Sequence, residues 1–162
     1  MTTNRTTELV TQLADALCNA NSKVCTAESC TGGLIAKTFT DLAGSSDWFE
    51  RGFVTYSNES KVEMLGVSES VIEQYGAVSE PVATAMALGA LKHSHADYSI
   101  AVTGVAGPGG GSDEKPVGTV WIGIAGQNRI RTQKFVFDGD REMIRLRTME
   151  AAVEQLLYLL KA

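Results

Sequence analysis

The stretch Val24-Cys25-Thr26-Ala27-Glu28-Ser29-Cys30-Thr31-Gly32-Gly33-Leu34 decides the fold, because one type of secondary structure changes into another within it. The apolar run from Lys23 to Ala27 is typical of a buried strand, and residues 34–41 are typical of a helix. A serine at such a turn lies beside backbone N–H groups without intrahelical partners, where the helix dipole adds partial positive charge. These groups stabilise an oxyanion, so Ser29 is a candidate nucleophile.

Patterns on both sides of this turn predict that helices alternate with strands before a late hairpin. Apolar residues at helical spacing predict a helix over 6–19, and the β-rich run 48–56 predicts a second strand. Further helices are expected over 57–65, 68–75, 79–93 and 140–160, and further strands over 98–103, 117–125 and 129–137, with a turn at 126–128. This order predicts an α/β fold, namely a single three-layer α/β/α domain around a mixed β-sheet, spanning residues 1–162.

Composition and charge argue against several classes of protein. The 162 residues are 44% hydrophobic and 20% charged, which is typical of one globular domain with a sizeable core. The net charge of −5 argues against a broad basic surface for nucleic acid, although local cations can still hold a small anionic ligand. No apolar run approaches the roughly 20 residues of a membrane span, and the N-terminus lacks the apolar core of a signal peptide. We therefore expect a cytoplasmic protein that binds neither nucleic acid nor membrane.

The cysteines and histidines do not form a metal-binding pattern. The three cysteines, Cys18, Cys25 and Cys30, include no CxxC pair, and their odd number without an export signal indicates reduced thiols. The two histidines are His93 and His95, and residues at this spacing lie on different faces of a helix. We interpret them as the polar end of a helix, and we expect neither a metal nor a cofactor.

A nucleophilic serine needs a base, and the two histidines are poor candidates for it. Both lie at a predicted helix end, and no Gly-x-Ser-x-Gly elbow surrounds Ser29. A lysine serves as a base when burial lowers its pKa towards neutrality, and Lys61 begins a helix directly after the second strand. Tyr56, at the end of that strand, can relay the proton or hold the lysine. From residue types alone, a solvated Lys61, a strand-end Tyr56 and a Ser29 that only caps a helix stay open as alternatives.

A glycine-rich loop follows the strand over 98–103, where phosphate-binding loops also occur. Its sequence, Gly104-Val105-Ala106-Gly107-Pro108-Gly109-Gly110-Gly111-Ser112, contains neither a Walker A motif nor a dinucleotide fingerprint. Its N–H groups can form an anion nest, and a flexible surface loop is the alternative. Arg141 and Arg145 share one face of the last helix and can clamp a phosphate, unless both are solvated. We interpret the Ser112-x-x-Lys115 spacing in this loop as chance.

Five blocks of sequence resemble the CinA carboxy-terminal-domain family, in the same order and over nearly the whole chain. The blocks are Ala-Glu-Ser-Cys-Thr-Gly-Gly at 27–33, Tyr-Ser-Asn-Glu-Ser-Lys at 56–61, Thr-Gly-Val-Ala-Gly-Pro-Gly-Gly at 103–110, Pro-Val-Gly-Thr-Val at 116–120 and Gly-Asp-Arg at 139–141. The enzymatic members of this family are nicotinamide-nucleotide amidases. The resemblance therefore implies a serine amidohydrolase that converts nicotinamide mononucleotide to nicotinate mononucleotide and ammonia, with Ser/Lys catalysis and no triad histidine.

The resemblance assigns functions to particular positions. Ser29 matches the family nucleophile, Lys61 the base and Tyr56 the third catalytic side chain. The substrate-binding loop of the family matches Thr103, Gly104, Ala106, Gly107 and Gly109. Candidates for the oxyanion hole are the N–H groups of Cys30, Thr31, Gly32 and Gly33. The Gly-Asp-Arg block contains Arg141, but whether Arg141 or Arg145 meets the substrate phosphate stays open.

The resemblance also sets expectations about size, partners and alternative functions. Larger family members carry an additional amino-terminal nucleotide-hydrolase domain, for which this chain has no room. The expected partner is a small-molecule nucleotide, and the alanine-rich helix and apolar hairpin are surfaces on which two copies can form a homodimer. The alternatives are a catalytically silent nucleotide-binding or protein-interaction module, and an amidase for another substrate.

Overall fold

A computed structural model describes residues 3–161 of the protein. Its helices are α1 (Asn4–Asn19), α2 (Leu34–Thr40), α3 (Asn58–Leu65), α4 (Glu69–Tyr75), α5 (Glu80–Lys92) and α6 (Arg141–Lys161), with one 3₁₀ turn at Ser45–Asp47. Its strands are β1 (Val24–Glu28), β2 (Phe49–Val54), β3 (Tyr98–Gly104), β4 (Thr119–Gly126) and β5 (Arg129–Val136). The predicted order of elements is confirmed, and residues 1, 2 and 162 of the expected domain lie outside the described residues.

The strands form one five-stranded mixed sheet in the order β2-β1-β3-β4-β5. β1 runs parallel to β2 on one side and to β3 on the other, whereas β4 and β5 extend the sheet through antiparallel pairs. The chain passes from β1 through α2 to β2, and then from β2 through α3, α4 and α5 to β3. β1 is therefore the strand at which the order of the sheet reverses, and open α/β sheets bind ligands at the carboxyl end of such a strand.

Helices cover both faces of the sheet and complete three layers. On one face α1 and α6 pack against each other, and α6 also contacts β3, β4 and α2. On the other face α5 crosses β1, β3, β4 and β5, while α3 and α4 pack against α5. Apolar side chains form one buried cluster on each side of the sheet. The predicted three-layer α/β/α architecture around a mixed sheet is confirmed.

Small residues let α5 lie close to its neighbours. A Cβ atom at Gly89 would overlap the Leu65 carbonyl of α3. A Cβ atom at Gly123 of β4 would lie 2.9 Å from the Ala83 carbonyl, which is closer than real Cβ contacts. Because neither position has room for a side chain, the alanine-rich sequence of α5 is explained by close packing on both the sheet and α3.

Serine and threonine side chains fix where several helices begin. Thr3, Ser57 and Ser79 accept backbone N–H groups from the first turns of α1, α3 and α5. Ser68 occupies the N-cap position of α4, but its hydroxyl makes no capping bond and pairs with the Ser70 hydroxyl at 2.8 Å. The same residue type at the same kind of position therefore does not always stabilise the helix.

Some predicted boundaries differ from the structure for local reasons. β4 begins at Thr119 rather than at residue 117, because Gly118 has a left-handed φ of 96° that interrupts the strand. The hairpin turn consists of Gln127 and Asn128, both at positive φ, since Gly126 still pairs within the sheet. Helix α6 buries a broad face, because it packs against both α1 and the sheet.

Residues 3–161 contain no helix with the length and apolar character of a membrane span. They also contain no group of three or more His, Cys, Asp or Glu side chains arranged to hold a metal ion. The three cysteines are free thiols. His93 is the C-cap residue of α5, and its Nδ1 atom lies 2.8 Å from the Gly89 carbonyl, so the predicted helix-end position is confirmed.

Candidate active site

The carboxyl ends of three parallel strands meet at one edge of the sheet. Ser29 follows β1, Tyr56 follows β2, and Gly104 ends β3. A cleft of about 220 Å³ opens at this edge and is lined by Ser29, Cys30, Tyr56, Asn58, Lys61, Ala77, Val78, Thr103, Gly104, Ala106 and Arg141. A larger depression of about 420 Å³ lies beside the β4–β5 turn, but neither serine nor lysine lines it. The smaller cleft lies at the point where the strand order reverses, which is where open α/β sheets bind ligands.

Hydrogen bonds on both sides hold the backbone of Ser29. Its N–H donates to the Val102 carbonyl of β3 at 3.1 Å, and its own carbonyl accepts the Gly32 N–H at 3.1 Å. The preceding carbonyl, that of Glu28, accepts the Thr55 N–H at 2.8 Å, so the turn is tied to both neighbouring strands. The Ser29 side chain lines the cleft, although the residue is only 7% exposed. The hydroxyl is therefore held in a defined position before any ligand binds.

The carboxylate of Glu28 is completely buried and caps the N-terminus of α2. Its Oε1 atom accepts the Thr31 hydroxyl at 2.6 Å, the Gly33 N–H at 3.2 Å and the Ile35 N–H at 2.9 Å, and its Oε2 atom accepts the Ala36 N–H at 3.0 Å. A carboxylate of the protein itself thus occupies the positive end of the helix dipole. Sequence reasoning assigned no function to this glutamate, although a carboxylate ending a buried strand is unusual enough to signal one.

Two backbone N–H groups in the turn remain free of protein acceptors. Gly32 N–H is used by the Ser29 carbonyl, and Gly33 N–H is used by the buried carboxylate of the preceding strand. Within residues 3–161, the N–H groups of Cys30 and Thr31 have no hydrogen-bond acceptor on another residue. The oxyanion candidates expected from sequence, Cys30 to Gly33, therefore narrow to Cys30 and Thr31.

Lys61 extends from the first turns of α3 to Ser29. Its Nζ atom lies 2.9 Å from Ser29 Oγ, 3.0 Å from the Thr55 carbonyl and 3.1 Å from the Tyr56 carbonyl. The residue is 1% exposed, and no carboxylate forms an ion pair with it in the described part of the chain. The structure thus excludes a solvated Lys61 and brings together the two residues that sequence reasoning paired.

Burial also changes the proton affinity of this amine. Removal from water lowers the pKa of Lys61 below its ordinary value of 10.5, because the ammonium form loses its hydration. Burial acts in the opposite direction on the neighbouring thiol and raises the pKa of Cys30 to about 11, so this cysteine is a neutral thiol at physiological pH. The site therefore combines an amine that gives up its proton more easily with a thiol that keeps its own.

Tyr56 contributes its backbone to the serine–lysine pair and its side chain to the mouth of the cleft. Its carbonyl accepts the Lys61 amine at 3.1 Å and lies 3.4 Å from Ser29 Oγ. The residue is 61% exposed, and its hydroxyl accepts an N–H from Arg141 at 3.4 Å. The sequence suggested that Tyr56 either holds Lys61 or relays a proton. The Tyr56 carbonyl is the atom that holds Lys61, whereas the hydroxyl that would relay a proton is hydrogen-bonded to Arg141.

The two arginines of α6 lie in different environments. Arg141 lines the cleft, and its Nη1 atom donates to the Gly107 carbonyl of the glycine-rich loop at 2.6 Å. Arg145 instead donates to two carbonyls of the turn after Ser29, those of Cys30 and Thr31. Arg141 is thus the one whose guanidinium lies beside the space that a ligand would occupy.

The glycine-rich loop forms the wall of the cleft opposite α3. Thr103 is buried and donates its hydroxyl to the Ala77 carbonyl at 2.9 Å, while Gly104 packs so closely on β4 that a Cβ atom would lie 2.8 Å from the Thr119 carbonyl. Thr103, Gly104 and Ala106 line the cleft, Gly107 reaches it through Arg141, and Gly109 has open space around its Cα. Sequence reasoning did not identify three further lining residues, Asn58, Ala77 and Val78.

Fold and site together define an α/β protein with a buried serine–lysine pair at the switch point of its sheet. The chain belongs to the CinA C-terminal domain family, whose model matches residues 6–160. It is 58% identical over 157 residues to the nicotinamide-nucleotide amidohydrolase PncC of Enterobacter agglomerans, with 96% of this chain and 94% of that protein covered. Its identity to the protein of the same name from Escherichia coli K12 is 52%, with 96% and 95% covered.

Solved structures give the same result for the fold. The crystal structure of the competence/damage inducible protein CihA from Agrobacterium tumefaciens superposes with a TM-score of 0.96 at 43% sequence identity. The match covers 100% of this chain and 99% of that chain. The expected family is therefore confirmed by sequence and by structure.

Proposed function

We propose that the protein is an amidohydrolase that converts nicotinamide mononucleotide to nicotinate mononucleotide and ammonia, with Ser29 as nucleophile and Lys61 as base. The observation that carries this proposal is the 2.9 Å contact between Lys61 Nζ and Ser29 Oγ in a buried site. The substrate follows from the names of two relatives with more than half of their residues in common with this chain. An amide substrate also suits the site, because its carbonyl oxygen becomes the oxyanion that free N–H groups bind.

The hydrogen bonds of Lys61 suit the neutral amine as a base. In the structure Lys61 Nζ donates to Ser29 Oγ and to the Thr55 and Tyr56 carbonyls. When the amine is neutral, its two N–H groups can stay on the carbonyls, which leaves the lone pair of Nζ to accept the proton of the Ser29 hydroxyl. Ser29 Oγ attacks the carboxamide carbon, and its proton moves to Lys61. The negative charge that forms on the carbonyl oxygen is bound by the N–H groups of Cys30 and Thr31. No histidine takes part in this step.

The remaining steps return Ser29 and Lys61 to their initial protonation states. The Lys61 ammonium gives its proton to the amide nitrogen, the C–N bond breaks, and ammonia leaves. The product at this stage is an ester of nicotinate mononucleotide with Ser29. A water molecule then gives a proton to Lys61 and attacks the ester carbon. The C–O bond to Ser29 breaks, the oxygen regains a proton from Lys61, and nicotinate mononucleotide is released.

The substrate phosphate is assigned to the arginine at the mouth of the cleft. Arg141 is exposed, donates to the Gly107 carbonyl and lies beside the Tyr56 hydroxyl, so its guanidinium retains donors for a dianion. Replacement of Arg141 by Met should raise KM for the nucleotide about tenfold or more, while the nucleoside amide, which lacks the phosphate, should be hydrolysed equally by both proteins. An equal loss of activity with both substrates would contradict the assignment of the phosphate to Arg141.

Ammonia release from nicotinamide mononucleotide is the experiment that tests the function. Wild type should release one ammonia for each nicotinate mononucleotide formed, and Ser29→Ala should release none above background while keeping its thermal unfolding temperature. Ser70→Ala, at an exposed serine of α4, is the matched control and should retain full activity. Nucleotide binding without ammonia release would indicate a catalytically silent module, and release from another amide in a panel would indicate a different substrate.

A cytoplasmic location and a homodimer belong to the same proposal. The free thiols of the three cysteines suit a reducing compartment. The dimer stays a prediction, and sedimentation of the purified protein at two concentrations tests it.

A further inference from the structure

Arg145 makes its polar contacts with the turn that follows Ser29 (residues 29–33), which we call the nucleophile turn. Its Nη2 atom donates to the Thr31 carbonyl at 2.8 Å, and its Nε atom donates to the Cys30 carbonyl at 3.3 Å. Within residues 3–161 no carboxylate forms an ion pair with it, and it is absent from the residues that line the cleft. A half-buried guanidinium therefore directs its charge at two peptide groups of the turn.

Each of these peptide groups connects Arg145 to one of the free N–H groups. The Cys30 carbonyl and the Thr31 N–H belong to the same peptide unit, so a donor on the carbonyl polarises that N–H directly. The Thr31 carbonyl shares its unit with the Gly32 N–H, which donates to the Ser29 carbonyl at 3.1 Å. The Ser29 carbonyl in turn shares its unit with the Cys30 N–H. Both chains of hydrogen bonds begin at Arg145 and end at an N–H without an acceptor.

We propose that Arg145 is a positioning residue that orients and polarises the N–H groups of Cys30 and Thr31, so that they bind the oxyanion more strongly. The inference rests on the proposed function, in which Ser29 is the nucleophile. A hydrogen bond to a peptide carbonyl strengthens the donor at the other end of the same unit, and a charged donor does so more than a neutral one. The guanidinium acts across the turn without touching the substrate.

The buried carboxylate of Glu28 completes the arrangement. It accepts the Gly33 N–H and the Thr31 hydroxyl, whereas Arg145 donates to carbonyls of the same turn. The negative group thus binds donors and the positive group binds acceptors, which leaves the N–H groups of Cys30 and Thr31 as the free ones. Glu28 and Arg145 thus bind different polar groups of the same turn, Glu28 its donors and Arg145 its acceptors.

Kinetics of Arg145 variants test the proposal first. Arg145→Met should lower kcat about tenfold or more with KM changed less than about twofold, because loss of a complete oxyanion donor costs about 10²- to 10³-fold. Arg145→Lys keeps one charged donor and should recover part of the loss. The matched control is Arg147→Met, two positions further along α6, where the exposed guanidinium donates to the Asp138 carbonyl. The control should keep wild-type kcat and KM.

A boronic acid separates oxyanion binding from substrate binding. Pyridine-3-boronic acid accepts an electron pair from Ser29 Oγ, the serine proton moves to Lys61, and the tetrahedral boronate carries its negative charge where the oxyanion forms. Arg145→Met should weaken boronate binding by about the same factor as kcat. In a Ser29→Ala background, the same change should leave the dissociation constant of nicotinamide mononucleotide unaltered.

The outcomes distinguish this inference from the proposed function. An unchanged kcat in Arg145→Met would overturn the inference. Weaker nucleotide binding by the Ser29→Ala/Arg145→Met double variant than by Ser29→Ala would also overturn it, because the guanidinium would then contact the substrate. If Arg145→Met does not fold, Arg145→Lys is judged by the same two measurements. Absence of ammonia release from wild type would overturn the proposed function alone, because boronate binding to Ser29 still reports on Arg145.

Discussion

Two serine–lysine pairs in this protein have different environments and therefore different chemistry. Ser29 and Lys61 are separated by 32 residues in sequence, yet their side chains lie 2.9 Å apart in a buried site. Ser112 and Lys115 are separated by three residues, but the Ser112 hydroxyl accepts the Lys115 backbone N–H, and the Lys115 amine donates to the Tyr75 carbonyl. The second pair forms a turn at the surface. Burial and direction, rather than spacing in sequence, decide which pair can exchange a proton.

The largest expected effect is the loss of activity when Lys61, but not Lys115, is replaced. Lys61→Met should lower kcat/KM by about 10³-fold or more, because the proposed general base is removed and no other side chain within residues 3–161 forms a hydrogen bond with Ser29 Oγ. Lys115→Met should stay within about threefold of wild type. The rate of ammonia release gives kcat/KM for both variants. Equal values for Lys61→Met and Lys115→Met would contradict the different roles of the two serine–lysine pairs.

The pH dependence of activity sharpens the comparison. In the proposed mechanism the neutral form of Lys61 is the base, so kcat/KM should rise with pH until this amine is deprotonated. Burial lowers its pKa, and the midpoint of the rise should therefore lie below the ordinary lysine value of 10.5. Initial rates between pH 6 and pH 10 give the profile, and a rise that does not begin to level off by pH 10 would contradict a lowered pKa of the base.

Stability should depend on pH in a way that only the buried lysine produces. Between the lowered pKa of Lys61 and 10.5, the unfolded chain binds a proton that the folded chain does not, so the free energy of unfolding rises with pH. The wild type should gain stability relative to Lys61→Met by at most about 1.4 kcal/mol per pH unit in this window. Urea unfolding at several pH values measures the difference. Parallel curves for the wild type and Lys61→Met would contradict the effect of burial.

The smallest expected effect concerns Ser68 and Ser79, which both occupy the N-cap position of a helix but form different hydrogen bonds. Ser79 accepts the Val82 N–H at the start of α5, whereas the Ser68 hydroxyl pairs with Ser70. Ser79→Ala should lower the free energy of unfolding by about 1 kcal/mol, and Ser68→Ala by less than about 0.5 kcal/mol. Thermal or urea unfolding of both variants gives the comparison, and a larger loss at Ser68 would reverse it.

The order of helices and strands could be predicted from the sequence because it depends on local patterns. The spacing of apolar residues and the turn residues between them predict the helices and strands, and the strand-to-helix turn at Ser29 indicates the candidate site. The start of β4 could not be predicted, because it depends on the left-handed φ of Gly118. This glycine packs closely against the Phe137 carbonyl, which follows β5. The missing capping bond of Ser68 likewise depends on a competing hydroxyl nearby.

The candidate site was predicted less completely than the fold. Ser29 and Lys61 were paired in advance, but only the folded chain places the Tyr56 carbonyl, rather than its hydroxyl, against both of them. The different surroundings of Arg141 and Arg145 depend on where the glycine-rich loop and the nucleophile turn lie relative to α6. Such contacts join residues far apart in sequence, so periodicity and residue type carry no information about them.

The titration of Lys61 tests the central claim most directly, namely that a buried lysine supplies a neutral amine to Ser29. Carbon-13 NMR of the protein labelled at lysine Cε gives one signal for each lysine, and the signal that is absent from Lys61→Met identifies this residue. We predict that the titration midpoint of Lys61 lies below 10.5. A midpoint at or above 10.5 would contradict the account, because Lys61 would then hold its proton throughout the physiological range.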